Sequence, residues 1–232
     1  MRNQELDHAN APPGPPSEVI SRYLEAIFYM RAEGESVRSA RLADWLAVSR
    51  PTVTAGVRRM LRDGLVRFTP HKEIELTEEG DRKASSIVRR HRIMERWLTE
   101  TLGLDWVAAD EEAARLEHAI SEVVEERLYE SLGRPQTCPH GNPIPGHSEA
   151  VKGELRLAGL RSGTATVTRI SEVAEREAPS LLRYLHDRRL VPGSPVTVQE
   201  VDVVGKTIRL SVGDREVTLS HETAGKIWVL PE

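Results

Sequence analysis

Apolar residues recur every three or four positions through the first third of the chain. Val19, Ile20, Tyr23, Leu24, Ile27, Phe28 and Met30 share one helical face, so Pro16 and Ser17 open a first helix that ends near Gly34. Leu42, Ala43, Trp45 and Leu46 predict a short second helix, and Ala47 to Ser49 a tight turn. Pro51 stands early in a third helix, where its missing N–H costs little. That helix repeats Val53, Val57, Met60 and Leu61 until Asp63 and Gly64 stop it. Two short helices around a three-residue turn make a helix-turn-helix. Val66 and Phe68, then Ile74 and Leu76, alternate around a "TPHK" turn and predict a two-stranded wing.

A long helix follows from Thr77 and Glu78 to Gly103, and Asp110 to Gly133 carries one or two more. "RPQTCPHGNPIPG" has too many prolines and glycines for regular structure and reads as an extended functional or interface loop. Beyond it the period changes to two. "TATVTRISEV", "SPVTVQEVDV", "KTIRLSVGD" and "REVTLSHE" are short alternating strands split by turns, the pattern of a small antiparallel barrel. The predicted class is mainly α with small β parts: a tail over 1–17, a winged helix-turn-helix over 18–80, a helical domain over 81–146, a linker over 147–161 and an SH3-like barrel over 162–232.

Composition narrows this picture. Hydrophobic residues make up 39% and charged residues 29%, a globular balance, and no apolar run reaches the twenty or so residues of a spanning helix. The proline-rich start "MRNQELDHANAPPGPPS" lacks an apolar signal core and reads as a flexible tail, which together with a single cysteine points to the reducing cytoplasm. The net charge of −4 hides an asymmetry. Basic residues outnumber acidic ones from Glu18 to Arg90, whereas the stretch from Asp105 to Glu130 is strongly acidic. A basic front suits DNA, and an acidic middle suits cations.

The third helix opens with Ser49, Arg50, Pro51, Thr52 and Thr54, small, polar or basic groups of the kind that meet base edges and phosphates, while Arg58, Arg59 and Arg62 reach the backbone. Arg67, His71 and Lys72 on the wing add phosphate contacts. Ala55 and Gly56 offer no side chain for reading bases, so DNA shape carries part of any specificity. A winged helix used only for protein contacts is the competing reading.

The candidate metal ligands lie further on. His91 and Glu95 are one helical turn apart and share a face; Glu117 and His118 are adjacent, about 100° apart on a helix. Either pair alone also fits a solvated helix face. Cys138 and His140 on a proline-fixed loop tip the balance, because a thiolate and an imidazole are costly choices for a passive loop.

Taken in order, the winged helix-turn-helix, "HRIME", "LEHAIS", "CPHGNPIPG" and a small barrel resemble the diphtheria-toxin-repressor family of iron- and manganese-dependent regulators, from about Glu18 to the C-terminus. The last segment is similar to the FeoA-type SH3-like domain of some members. The resemblance implies one metal site at His91 and Glu95, which members with a "CPH" loop extend with the residues here numbered Cys138 and His140. It implies a second at Glu117 and His118, and Glu25 matches a glutamate that manganese-type members add from the first helix. Glu177 matches a carboxylate that some three-domain members reach back with from the barrel, and Asp110 falls where iron-type members carry a further histidine. Two ligand positions of the second site hold Arg22 and Ala114 instead. The site of His91, Glu95, Cys138 and His140 is therefore expected to be the better preserved, with Arg22 paired to Glu117 in place of an ion's charge.

The resemblance implies a homodimeric DNA-binding repressor that responds to Mn(II) or Fe(II), takes other divalent transition metals in vitro, and reads a palindromic operator. A regulator of the same fold freed from metal by Arg22 is the alternative. A hydrolytic metalloenzyme is the remote one: the sequence holds no H-E-x-x-H, no phosphate-cradling glycine loop and no nucleophile beside a base, so no enzymatic activity is expected.

Overall fold

The computed structural model describes residues 17–173 and 179–232. The expected tail over 1–17 and Glu177 lie, but for Ser17, outside the described residues. Helix α1 (Glu18–Ala32) and α2 (Ser39–Leu46) precede α3 (Arg50–Arg62), the second helix of the helix-turn-helix, and the wing is the antiparallel pair β1 (Val66–Phe68) and β2 (Ile74–Leu76). The turn between α2 and α3 works because Ala47 caps α2 in the left-handed region (φ 53°), and Ser49 caps α3 by accepting the Thr52 amide. Leu24, Ile27, Leu42, Val53 and Met60 close the core of this head.

Helix α4 (Glu78–Glu100) is the spine of the molecule. Thr77 caps it by accepting the Gly80 amide at 3.1 Å. Its first half, Ala84 and Ile87, belongs to the core of the head, while Met94 and Leu98 pack against Ala109 and Ala113 of α5 (Trp106–Leu116). Between those two apolar stretches, His91, Arg92 and Glu95 are buried. Charged groups at the seam of two cores must be paired or bind a cation, because an unpaired buried charge is prohibitively costly. Helix α6 (Glu122–Ser131) packs alongside and leads into the loop of Cys138. Helix α5 begins ahead of the expected Asp110, because Asp105 caps it by accepting the Val107 and Ala108 amides. Glu117 is the C-cap of α5 and His118 lies in the turn beyond it, so the two are not stacked along one continuous helix.

The C-terminal domain is a six-stranded antiparallel sheet in the order β3-β8-β4-β5-β6-β7. Its strands are β3 (Leu155–Arg156), β4 (Gly163–Ile170), β5 (Pro195–Asp202), β6 (Thr207–Val212), β7 (Arg215–Ser220) and β8 (Ile227–Pro231), with register shifts in β4 and β5 that bend it. A helix α7 (Pro179–Asp187) precedes β5, and a single turn α8 (His221–Ala224) precedes β8. Four of the six strands match the alternating segments. The stretch 147–161 is more than a linker: it supplies β3 and a fully buried Leu157. Local pattern does not reveal this, since β3 is only two residues long and pairs with β8 some seventy residues on. Among the described residues, no helix is long and apolar enough to cross a membrane.

The join between wing and spine is tight. A Cβ on Gly80 would lie 1.9 Å from the carbonyl oxygen of Leu65. Gly80→Ala is therefore expected to destabilise the protein by at least about 2 kcal/mol; an urea titration that leaves the unfolding midpoint unchanged would contradict this packing.

Candidate metal centre

The loop after α6 is built by its own backbone. Cys138 N donates to Asn142 O and Gly141 N to Cys138 O, closing the turn at "CPHGN", while Arg96 on α4 donates to the carbonyls of Thr137 and Cys138. Gly141 has φ +87° and lies so close to β4 that a Cβ would meet the Thr168 carbonyl at 2.1 Å. That turn places Cys138 Sγ 3.9 Å and Glu95 Oε1 3.3 Å from His140 Nδ1. All three residues are nearly inaccessible to solvent. Glu95 Oε1 is buried and has no hydrogen bond. A buried carboxylate oxygen that makes no hydrogen bond, beside a thiol and an imidazole, is an environment a transition-metal cation can complete.

Two further donor groups adjoin this one. His91, Glu95 and Asp110 offer ligand atoms within 4.8 Å of one another, as do Glu25, His91 and Glu117. His91 Nδ1 lies 2.7 Å from Glu117 Oε2, and its Nε2 lies 3.3 Å from Asp110 Oδ1. Glu117 Oε1 in turn lies 3.3 Å from His118 Nε2. These groups surround a cavity of about 410 Å³, lined also by Tyr29, Trp45 and Glu172. Burial alone would lower the pKa of His91; hydrogen bonds from the ring to Asp110 and Glu117, with the charge of Glu95, instead raise it well above the ordinary imidazole value. The ring thus carries a cation's charge among carboxylates.

The structure sorts the expected ligands differently from the sequence. It does not gather His91, Glu95, Cys138 and His140 into one donor group: Glu95 stands with the thiol and His140, and His91 falls in the two other groups. Glu95 and His91 are the shared members. The expected pairing of Arg22 with Glu117 is not formed. Arg22 is exposed at the rim of the cavity, and both oxygens of Glu117 face imidazoles. Ala114 is exposed on the same rim and offers no ligand atom. Sequence reasoning missed Arg92 and Glu172, a buried ion pair with Nε to Oε1 at 2.9 Å beside the centre. The available signal was Arg92 itself, adjacent to His91 on a helix face that continues the apolar series of Ile87 and Val88.

On the head, Ser49, Arg50, Pro51, Thr52, Thr54, Arg58, Arg59 and Arg62 are all exposed, as are Arg67, His71 and Lys72 of the wing. The apolar face of α3, Val53, Val57 and Met60, is turned inward. Arg67 is tied to Glu75 at 2.9 Å, which leaves Lys72, at the wing tip with φ +60°, as the freer cation.

Residues 17–74 match the iron dependent repressor N-terminal DNA binding domain, residues 77–146 the iron dependent repressor metal binding and dimerisation domain, and residues 155–231 the FeoA domain. The chain belongs to the iron-dependent repressor family. Within that family it is 38% identical over 223 residues to the iron-dependent repressor IdeR of Mycobacterium leprae (strain TN), covering 91% of this chain and 96% of the relative. It is 34% identical over 214 residues to the diphtheria toxin repressor of Corynebacterium diphtheriae, 88% of this chain and 89% of that one. A solved manganese-dependent transcriptional repressor in complex with manganese superposes with a TM-score of 0.82 at 32% identity, over 92% of this chain and 100% of its own.

The raised pKa of His91 has a stability consequence in metal-free protein. Its folded value lies above its unfolded one, so its contribution is fully present below the unfolded value, about 6.5, and is lost as pH rises through the folded value. The ring resonance of His91 is expected to titrate above the ordinary imidazole value in chelator, and Asp110→Asn to lower its midpoint. An unshifted midpoint near 6.5 in the wild type would show that the carboxylates do not hold the proton.

Proposed function

We propose that the chain is a homodimeric, metal-responsive transcriptional repressor that binds operator DNA when Mn(II) or Fe(II) is bound. The observation that carries this reading is the juxtaposition of a fully exposed recognition surface on α3 with buried cation-ligand groups on α4, both packed against the same helix α1. Glu95, Cys138 and His140 would hold one ion. His91 with Asp110, or with Glu25 and Glu117, would hold another, and His118 abuts Glu117 at the rim of that group. The carboxylates suit Mn(II), and the thiolate of Cys138 suits Fe(II) or Zn(II). A bound divalent cation supplies a fixed charge that neutralises the carboxylates.

The chain's own residues then set the response. Glu25 is on α1, so drawing it towards His91 and Glu117 fixes the head against α4 and the end of α5. A dimer presents two recognition helices, and two heads held one DNA turn apart read a palindrome that one head cannot. Differential binding of an ion to the seated head shifts that population; a coupling of about 1 to 3 kcal/mol changes operator affinity roughly 5- to 150-fold. Arg22 is exposed and Glu117 pairs with His91, so the Arg22–Glu117 pair that a metal-independent regulator would use is not formed. The relatives named above are repressors, and the site holds no arrangement for turnover, so no enzymatic function is proposed.

Fluorescence anisotropy tests this, with duplexes selected from a random pool by metal-loaded protein, at fixed salt, in chelator and then in Mn(II), Fe(II) or Zn(II). Binding that requires metal is expected; equal binding in chelator would contradict the proposal. Replacing Arg58 and Arg59 with alanine is expected to weaken binding to all sequences and to reduce the salt slope by about two. A change in sequence preference instead would place these arginines at bases. Trp106 stacks edge-on against His140 at 4.7 Å, so metal uptake is expected to change tryptophan emission in the wild type and far less in Cys138→Ser with His140→Ala.

A further inference from the structure

The C-terminal sheet grips the head at one buried carboxylate. Glu33, the C-cap of α1, has a side chain only 1% exposed. Its Oε1 accepts from Arg169 Nη1 at 2.9 Å; its Oε2 accepts from the Trp228 indole N–H at 3.1 Å and pairs with Arg156 Nη2 at 2.6 Å. Both guanidinium groups stack over the Trp228 ring, at 4.2 and 4.1 Å from its centre. Arg156 is on β3, Arg169 on β4 and Trp228 on β8, so three adjacent strands close on the end of one helix.

The same strand β4 holds the loop of the metal centre. Ile170 N donates to the His140 carbonyl at 2.9 Å, and Asn142 Nδ2 donates to the Ile170 carbonyl at 3.0 Å. Arg169 also reaches Asn142 Oδ1 at 3.4 Å. At its other end, α1 touches the recognition helix. The Tyr23 hydroxyl donates to the Thr52 carbonyl at 3.4 Å, and its ring lies so close to Gly56 that a Cβ there would meet it at 2.8 Å. A continuous series of packed elements therefore runs from His140 through β4, Arg169, Glu33 and α1 to Tyr23 and α3.

We infer that Glu33 and Arg169 are positioning residues that couple the Cys138–His140 loop to the recognition helix through the C-terminal sheet. This rests on the reading of the chain as a metal-responsive DNA-binding protein and assigns the C-terminal sheet a task in that response. A buried ion pair is an expensive way to join two domains, since apolar side chains of similar volume would hold them as well or better. What the pair adds is direction: a carboxylate with three donors at fixed angles admits one seating of α1 on the sheet, and an apolar patch admits several. Proximity alone does not prove coupling, so the test measures coupling itself.

Cys138 is the only cysteine, so the thiolate-to-cobalt absorption band of Co(II)-loaded protein reports occupancy of that loop alone. Full-length wild type and Glu33→Gln are titrated with Co(II), and their affinities for one selected duplex are measured in chelator and in saturating Co(II). The relay predicts that Glu33→Gln keeps the Co(II) midpoint within about threefold while the metal-induced gain in duplex affinity falls by at least about fivefold, within the 5- to 150-fold range usual for such couplings. A gain unchanged within twofold overturns the inference. So does an equal loss of affinity in chelator and in Co(II), which would make Glu33 a scaffold of the head. If Glu33→Gln melts without cooperativity, Trp228→Phe decides by the same comparison, because it removes one donor to Glu33 and keeps the ring under both arginines. A wild type with no metal-induced gain contradicts the functional reading and the relay together; a wild type with the gain and a variant that retains it contradicts the relay alone.

Discussion

Everything in this molecule depends on how charge is accommodated in the middle of α4. The helix passes from the core of the head to the core shared with α5, and at the crossing it buries His91, Arg92 and Glu95. Burial of unpaired charge is too costly to persist, so each group dictates a neighbour. Arg92 takes Glu172 from the C-terminal domain and stacks near Phe28 and Tyr29 of α1. His91 takes Glu117 and Asp110 from α5 and its cap. Glu95 faces His140 of the loop through Oε1, which lies 3.3 Å from the ring without a hydrogen bond. The three domains are assembled around these three side chains, and the incomplete neutralisation at Glu95 leaves the centre receptive to a cation.

The same constraint explains why sensing and DNA binding can be linked without contact between them. The candidate cation ligands of α4 and the exposed basic and polar groups of α3 belong to helices that both pack against α1. Their opposite charge preferences appear in the sequence as a basic front and an acidic middle, although the net charge is only −4. The carboxylates around His91 favour its protonated form, which places positive charge among them.

Much of this was legible in the sequence. Helical spacing located α1 to α4, the "TPHK" turn located the wing, and alternation located four strands. The donor residues were nameable from type and order. What remained hidden is what tertiary contact decides. The two-residue strand β3 exists only because β8 pairs with it. Helix α5 starts at Trp106 because a single aspartate caps it. No spacing rule says that Glu95 turns towards His140 and His91 towards Glu117, or that Arg22 stays in solvent, since each depends on which partner reaches the buried position first in space rather than in sequence. Glu33 reads as an ordinary acidic residue at a helix end, and only the folded sheet shows its three donors.

We propose that the buried charged groups of α4 form cation sites shared with the Cys138 loop and with α5. Anomalous diffraction from crystals grown with Mn(II), recorded on the high-energy side of the manganese absorption edge, addresses it most directly. Peaks are expected within coordination distance of Glu95, Cys138 and His140, and of His91 with its carboxylate neighbours. Crystals with Mn(II) in excess and no peak at either position, with His91 still hydrogen-bonded between Glu117 and Asp110, would contradict it.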